Sequence, residues 1–236
     1  MVFGGLQKVT LLDYPEKTAC TIFTTGCNLR CPFCQNSSLV CADKAGCSGA
    51  DNQTLNYSEI NSFLETRKGL LDGVCISGGE PLLHKDLHSF IREVKEMGFL
   101  VKLDTNGSQP EKLKELMESG YIDYIAMDVK NTPEKYAQTV GVPDFDISPV
   151  KESVGILLSS TIPYEFRTTV VREFHDEDDL VSIAHWISGA KHYYLQGFIN
   201  SGGVLLSGLN GYTVEEMHRF HKIVKVMLPT TELRGI

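Results

Sequence analysis

No apolar run in the 236-residue sequence approaches the roughly 20 residues that a membrane-crossing helix needs. Positive charge is not in excess either. The 22 Lys and Arg residues face 30 Asp and Glu, for a formal net charge of −8, which argues against a nucleic-acid scaffold held by bulk electrostatics and leaves room only for a local basic patch. The start, MVFGGLQKVTLLDYPEK, has no charged head, apolar middle or small-residue cleavage site of the kind a secretory signal carries. No internal repeat and no low-complexity linker breaks the chain. The seven histidines lack ligand spacing, and the one helical pair, His218 and His221, reads as a solvated face. These absences leave the expectation of a cytoplasmic globular protein, a single domain over 1–236, with no membrane and no nucleic acid among its partners.

What the chain does have is cysteine, and most of it in one place. Of seven cysteines, Cys20, Cys27, Cys31, Cys34, Cys41 and Cys47 fall in the first fifth of the sequence, with Cys75 beyond. An odd count, a long chain and no export signal argue against a disulfide framework. Clustered thiols then point to metal or redox chemistry.

Six short β-branched, apolar runs read as strands: 19–25, 73–79, 99–107, 121–130, 164–171 and 192–198. Between and after them helical patterns cover 57–67, 86–97, 110–119, 133–140, 150–158, 177–187 and 213–227. Ser58 and Asp86 are the expected N-caps of the first two helices, and Gly98 and Gly120 are expected helix stops. Alternating strands and helices predict an α/β fold with parallel βαβ units. Six units in about 200 residues fall short of the roughly 250 of a full barrel, so the expected architecture is a partial (β/α)6, TIM-like barrel with active-site residues at the C-terminal strand ends.

The segment GCNLRCPFCQN follows the first of these runs and places Cys27, Cys31 and Cys34 as C-x3-C-x2-C. A loop can fold around a compact inorganic core where a strand cannot. Fully ligated cubane clusters use four cysteines, so three would leave one iron open to a substrate. A zinc site is the competing reading. Zinc usually shows paired C-x2-4-C knuckles, and the C-x5-C of Cys41 and Cys47 is a poor second pair. Downstream, SGGEP (77–81), DTNG (104–107) and MDVK (127–130) each close a strand. Alone, the glycines would be a turn and the aspartates turn or cap residues. Together, Asp104 and Asp128 could hold a small hard cation through oxygen.

This ordered set resembles the radical S-adenosylmethionine (SAM) superfamily, and most of all its glycyl-radical-enzyme activases. LLDYP before the cysteines, EFRTTV (165–170) and ELRG (232–235) are similar to the group that activates anaerobic ribonucleotide reductase. The resemblance implies a radical SAM core fold, a [4Fe-4S] cluster on Cys27, Cys31 and Cys34, and SAM bound at the open iron. It implies that Gly78 and Gly79 let the backbone approach SAM, that Glu80 accepts from the SAM ammonium, and that Arg167 contacts SAM. It puts Phe33 and Gln35 beside the adenine, and Lys130 as an orienting residue for SAM or the substrate loop. By the same likeness, a monovalent cation at Asp104 and Asp128 would touch the SAM carboxylate, helped by backbone oxygens of Thr105 and Met127. The implied partners are a glycyl radical enzyme, anaerobic ribonucleotide reductase foremost, and a flavodoxin or ferredoxin-type electron donor.

The sequence departs from the activase pattern at several positions, and the one after Asp13 bears on which substrate loop is met. Gln35-Asn36 replaces a usual His-Asn, Gln196 stands where some activases place a histidine, and Asp13 leads into Tyr14-Pro15-Glu16 rather than Gly-Pro-Gly. A radical SAM enzyme acting on a small molecule or nucleoside, and a non-catalytic zinc module, remain the other readings. Cys20 and Cys75, inside apolar strands, are expected to be buried thiols. Cys41 and Cys47 are expected to be a loop pair outside any cluster.

Overall fold

The computed structural model describes residues 1–40, 54–200 and 202–236. It is an α/β fold whose strands form a mostly parallel eight-stranded sheet in chain order. Cys41 and Cys47 lie outside the described residues.

The chain divides into two compact units. The first comprises Met1–Asn28, Ser38–Thr105 and Glu111–Ile125. Within it β1 (Phe3–Thr10) runs antiparallel to β2 (Ala19–Thr24), and β3 (Gly73–Gly78) and β4 (Leu100–Thr105) follow in parallel. In-register pairing of Ile22 with Ile76 and of Ile76 with Leu103 lines up side chains that are fully buried, so burial sets the register. Helix α2 (Tyr57–Glu65) and helix α3 (Leu87–Glu96) belong to this unit, as does all but the first residue of α4 (Pro110–Glu118); α1 is a single turn, Ser37–Val40. Phe90, Ile91 and Val94 form the buried stripe of α3 at helical spacing. Gly98 and Gly120, both at positive φ, stand just beyond α3 and α4, as expected.

The second unit comprises Leu29–Ser37, Asn106–Pro110 and Ala126–Ile236. It holds α5 (Tyr136–Thr139), α6 (Ser148–Leu158), α7 (Glu177–Trp186) and α8 (Val214–Met227), with strands β6 (Tyr164–Val170), β7 (Tyr193–Gly197) and β8 (Thr231–Arg234) parallel to one another. Strand β5 (Tyr124–Asp128) changes unit after Ile125. Tyr164, Phe166, Tyr193, Leu195, Ile183 and Met217 are all wholly buried in this part of the core.

Two strands were not foreseen. In β1 only Phe3 and Thr10 are buried, and two glycines and three exposed residues hide the period of 2. In β8 only Thr231 is buried among four residues. Two caps also differ. The N-cap of α2 is Asn56, whose side chain accepts from Glu59 N while the Glu59 carboxylate returns to Asn56 N; that reciprocal box needs a three-residue spacing, which Ser58 lacks. Asp86 does sit at the start of α3, but its carboxylate makes no bond to the helix. The helix expected over 133–140 is a single turn. Of the helical pair, His218 is exposed as expected, while His221 is half-buried with its Nε2 2.9 Å from the Thr231 carbonyl oxygen, tying α8 to β8. Cys20 and Cys75 are wholly buried, and burial pushes the Cys20 thiol up to about 12.

The cap assignment has a direct check in the urea midpoint. Asn56→Ala should lower stability by about 1 kcal/mol, whereas Ser58→Ala should stay within about 0.5 kcal/mol of wild type; equal losses would return the cap to Ser58.

Candidate functional site

Strand β2 ends at Thr24, and Gly26, at φ 81°, turns the chain into Cys27. That turn is stitched to the glycine-rich loop after β3. Gly79 N donates to the Thr24 carbonyl at 3.0 Å, and Glu80 N donates to the Gly26 carbonyl at 2.8 Å. The approach leaves no room for side chains. A Cβ on Gly79 would fall 1.9 Å from Gly26 O, and one on Gly78, whose φ is 118°, would fall 2.3 Å from Thr24 N. The two glycines therefore have a structural duty of their own, closing one loop onto the stem of another.

Glu80 is wholly buried. Its Oε1 accepts from Leu82 N at 3.1 Å, capping the short 3-10 turn Pro81–Leu83, and from Thr105 Oγ1 at 2.9 Å. The carboxylate and the end of β4 are thus locked together. One residue back on β4, Asp104 is bonded by Lys102 Nζ, and Lys102 is only 1% exposed. His84 Nε2 meets the Thr25 carbonyl at 2.8 Å, and Asp13 accepts from Thr21 Oγ1.

The second unit holds the other half of the expected set. Cys31 is buried and Cys34 half-buried, and Cys34 N donates to the Cys31 carbonyl across a tight turn at 3.0 Å. Phe33, inside that turn, is buried with its ring centroid 5.5 Å from Phe174 and 6.3 Å from His175. The turn is clasped by a later segment: Leu206 N donates to the Pro32 carbonyl, Gln35 Nε2 to the Ile199 carbonyl, and Ser37 Oγ to the Gly203 carbonyl.

Beside it lies a line of charge. Asp128, the last residue of β5, accepts from Lys130 Nζ on Oδ2 and from Arg167 Nε on Oδ1, both at 2.9 Å. Burial opposes the Lys130 ammonium, but Asp128, Cys31 and Cys34 acting on it hold it above the ordinary lysine range. Both thiols are therefore within electrostatic reach of that cation. Arg167 stands mid-strand in β6 rather than at its end. Its neighbour Glu165, wholly buried, receives a two-pronged bond from Arg234 of β8 at 2.8 and 3.2 Å, and Arg234 also lies 3.7 Å over the Tyr194 ring. Gln196 pairs with Arg234 in the parallel register of β7 and β8.

The structure thus joins Gly78, Gly79, Glu80 and Thr105 to the stem of Cys27 in one unit, with Asp104 beside Thr105. In the other it joins Asp128, Lys130 and Arg167, with Cys31 and Cys34 near Lys130. Sequence reasoning assigned nothing to Lys102, His175, Glu165 or Arg234. Lys102 had a signal, a lysine within an apolar strand two residues before Asp104 and so on the same face. Glu165 and Arg234 lay in the EFRTTV and ELRG segments, unread as a pair. His175, buried with Nε2 at 2.7 Å from the Lys130 carbonyl, had none.

Comparison with known proteins adds a separate line. The radical SAM superfamily matches over residues 21–187. A Methanocaldococcus jannaschii protein named as a glycyl-radical enzyme activating enzyme is 34% identical over 200 residues, covering 83% of this chain and 79% of its own. A pyruvate formate-lyase-activating enzyme of Staphylococcus aureus is 26% identical over 175 residues, covering 71% and 68%. Of solved structures, Streptococcus suis SuiB superposes with a TM-score of 0.67 at 14% identity, over 92% of this chain and 49% of its own, which is a likeness of fold.

Two outcomes follow from the geometry. Gly79→Ala should lower stability by about 3 kcal/mol or more, since backbone on both sides must move; a fully folded variant with an unchanged urea midpoint would contradict the close approach. Burial would raise the Asp128 carboxyl, but Arg167 and Lys130 outweigh it and hold the group well below the usual carboxylate range. A carboxyl depressed on folding gives stability that is complete above its unfolded value near ~4 and is lost as pH falls through the folded value. Wild type should therefore lose more stability than Asp128→Asn when the pH is taken from about 5 to about 2. Parallel pH curves would remove Asp128 from that role.

Proposed function

The chain belongs to the radical SAM superfamily and, within it, to the glycyl-radical enzyme activating enzymes; from that premise we propose that it cleaves SAM reductively and removes a hydrogen atom from a backbone glycine of a partner enzyme. Cys27, Cys31 and Cys34 would hold a [4Fe-4S] cluster. When bound, such a cluster supplies the electron that splits the SAM sulfonium, giving methionine and the 5′-deoxyadenosyl radical that acts on the glycine.

The donor set fits. Thiolates are the ligands that iron–sulfur clusters take, and three of them on one eight-residue stretch leave one iron to the substrate. The observation that carries the reading is the buried Glu80 loop tied to the stem of Cys27: Glu80 N donates to the Gly26 carbonyl at 2.8 Å, and the Glu80 carboxylate is held by Leu82 N and Thr105 Oγ1.

The chain's own residues then bind and orient SAM. Arg167, its Nε fixed by Asp128, offers a planar fork to the SAM carboxylate. Glu80, aimed by Leu82 N and Thr105 Oγ1, would take the SAM ammonium in a charge-assisted bond. The turn of Gly78 and Gly79 sets the height of that carboxylate. Gln35 is assigned the adenine edge, and Phe33, seated on Phe174, the ring beside it. Lys130 orients SAM or the substrate loop while keeping Asp128 ionised. No helix among the described residues is long and apolar enough to cross a membrane. A cytoplasmic location and a flavodoxin or ferredoxin-type donor belong to the proposal through the activase resemblance. LLDYP, EFRTTV and ELRG support anaerobic ribonucleotide reductase as the partner.

Anaerobic reconstitution should give about four irons with matching sulfide per chain. Cys31→Ser should lose the iron and the release of 5′-deoxyadenosine, while a Cys41→Ser, Cys47→Ser double variant should keep both. Incubation with the reductase, a reductant and SAM should produce the paramagnetic doublet of a glycyl radical. Iron near eight per chain would sink the single-cluster reading. SAM cleavage without a doublet on any glycyl radical enzyme would point to a small-molecule substrate instead.

A further inference from the structure

The activase resemblance brings with it a small cation at Asp104 and Asp128, and the side chains present do not fit one. We infer that Lys102 supplies the positive charge at Asp104 from within the chain, so that this enzyme works without an added monovalent cation. The inference rests on the reading that the chain binds SAM, and it deepens that reading by naming a positioning residue.

Lysine is almost never fully buried unless it is paired. Lys102 is 1% exposed, its Nζ bonds Asp104 Oδ1, and it reaches Cys75 Sγ at 3.7 Å. Strand geometry explains the pairing, because residues two apart on β4 point to one face. At 1% exposure the Lys102 side chain is enclosed on its own face of the strand, so the ammonium keeps its place beside Asp104 rather than reaching water. A metal ion at Asp104 would place a second positive charge against Lys102, and in a low-dielectric setting that repulsion is strong. Asp128 gives the same answer independently. Each of its two oxygens already accepts from a cationic side chain, Oδ1 from Arg167 and Oδ2 from Lys130. A diffusible ion must be bound from solution and desolvated, whereas a tethered ammonium is present in every folded molecule. The charge at Asp104 is then independent of the salt around the enzyme.

The experiment compares choline chloride with potassium or sodium chloride at equal ionic strength. Three readouts are taken: SAM affinity of the reconstituted enzyme, 5′-deoxyadenosine release, and the melting temperature of the chain without cluster. Wild type should agree within about twofold in the first two and show no potassium- or sodium-specific rise in melting temperature. Lys102→Met should bind SAM about tenfold more weakly in choline and recover in potassium or sodium, its vacated carboxylate now open to the ion. Lys102→Arg keeps a fixed charge and should stay indifferent. A tenfold dependence of wild type on potassium or sodium, a specific rise in its melting temperature, or a Lys102→Met enzyme as indifferent as wild type would each overturn the inference. If Lys102→Met fails to fold, wild type and Lys102→Arg decide the matter alone. No SAM cleavage in any buffer would instead refute the activase reading, while the melting comparison still reports on Lys102.

Discussion

Where Gly79 passes Gly26, backbone meets backbone with no space for a single methyl group. Much of the geometry around the candidate site in the first unit follows from that approach. Glu80 N reaches the Gly26 carbonyl only because Gly79 lets the two loops close, and Glu80 in turn holds Thr105 and the 3-10 turn that begins at Pro81. The position of Cys27 after β2 and that of the buried carboxylate after β3 are therefore not two independent loop conformations. They are set by one contact, made of main-chain atoms whose geometry does not depend on rotamers. Sites that must present reacting groups within fractions of an ångström gain from such anchoring.

In the second unit the organising element is charge. Lys130, Asp128, Arg167, Glu165 and Arg234 alternate in sign, and each carboxylate in the series is engaged by cations on more than one side. Such a series tolerates burial because no member stands uncompensated. Its geometric effect matters as much. Arg167, held by Asp128 at Nε and approached by Glu165, has little freedom to rotate, and an arginine that is already oriented loses less entropy when it meets a carboxylate.

The sequence carried the parts of this that depend on residue type and order. The six inner strands were legible because each is a β-branched run closed by glycine or polar residues, and the motifs at their ends needed only position along the chain. Strands β1 and β8 were not legible, because an edge strand that buries one or two residues leaves almost no periodic signal. The Asn56 cap shows only in its reciprocal spacing with Glu59, whereas the residue type of Ser58, one position inside the helix, suits a cap equally well. The pairing of Glu165 with Arg234 joins residues 69 apart. No local pattern announces a partner at that distance, even when both lie in segments already singled out. Lys102 is the opposite case, a local signal two residues from the aspartate it pairs with.

Glu165 and Arg234 also set an order of events as the chain is made. Synthesis runs from the N-terminus, and domains assemble as their parts emerge. Every residue assigned to cluster and SAM lies at or before Arg167, so all of them are available while β8 is still unmade. The wholly buried Glu165 then lacks its two-pronged partner and keeps Arg167, 4.0 Å away, and a buried carboxylate so weakly compensated is costly. The strand that carries no chemistry of its own thus acts as the closing latch of the second unit. Until it arrives, the motif residues are all present, but Glu165 has an open side and the Arg167 beside it is less firmly held. The latch therefore engages only after the residues it steadies have been made.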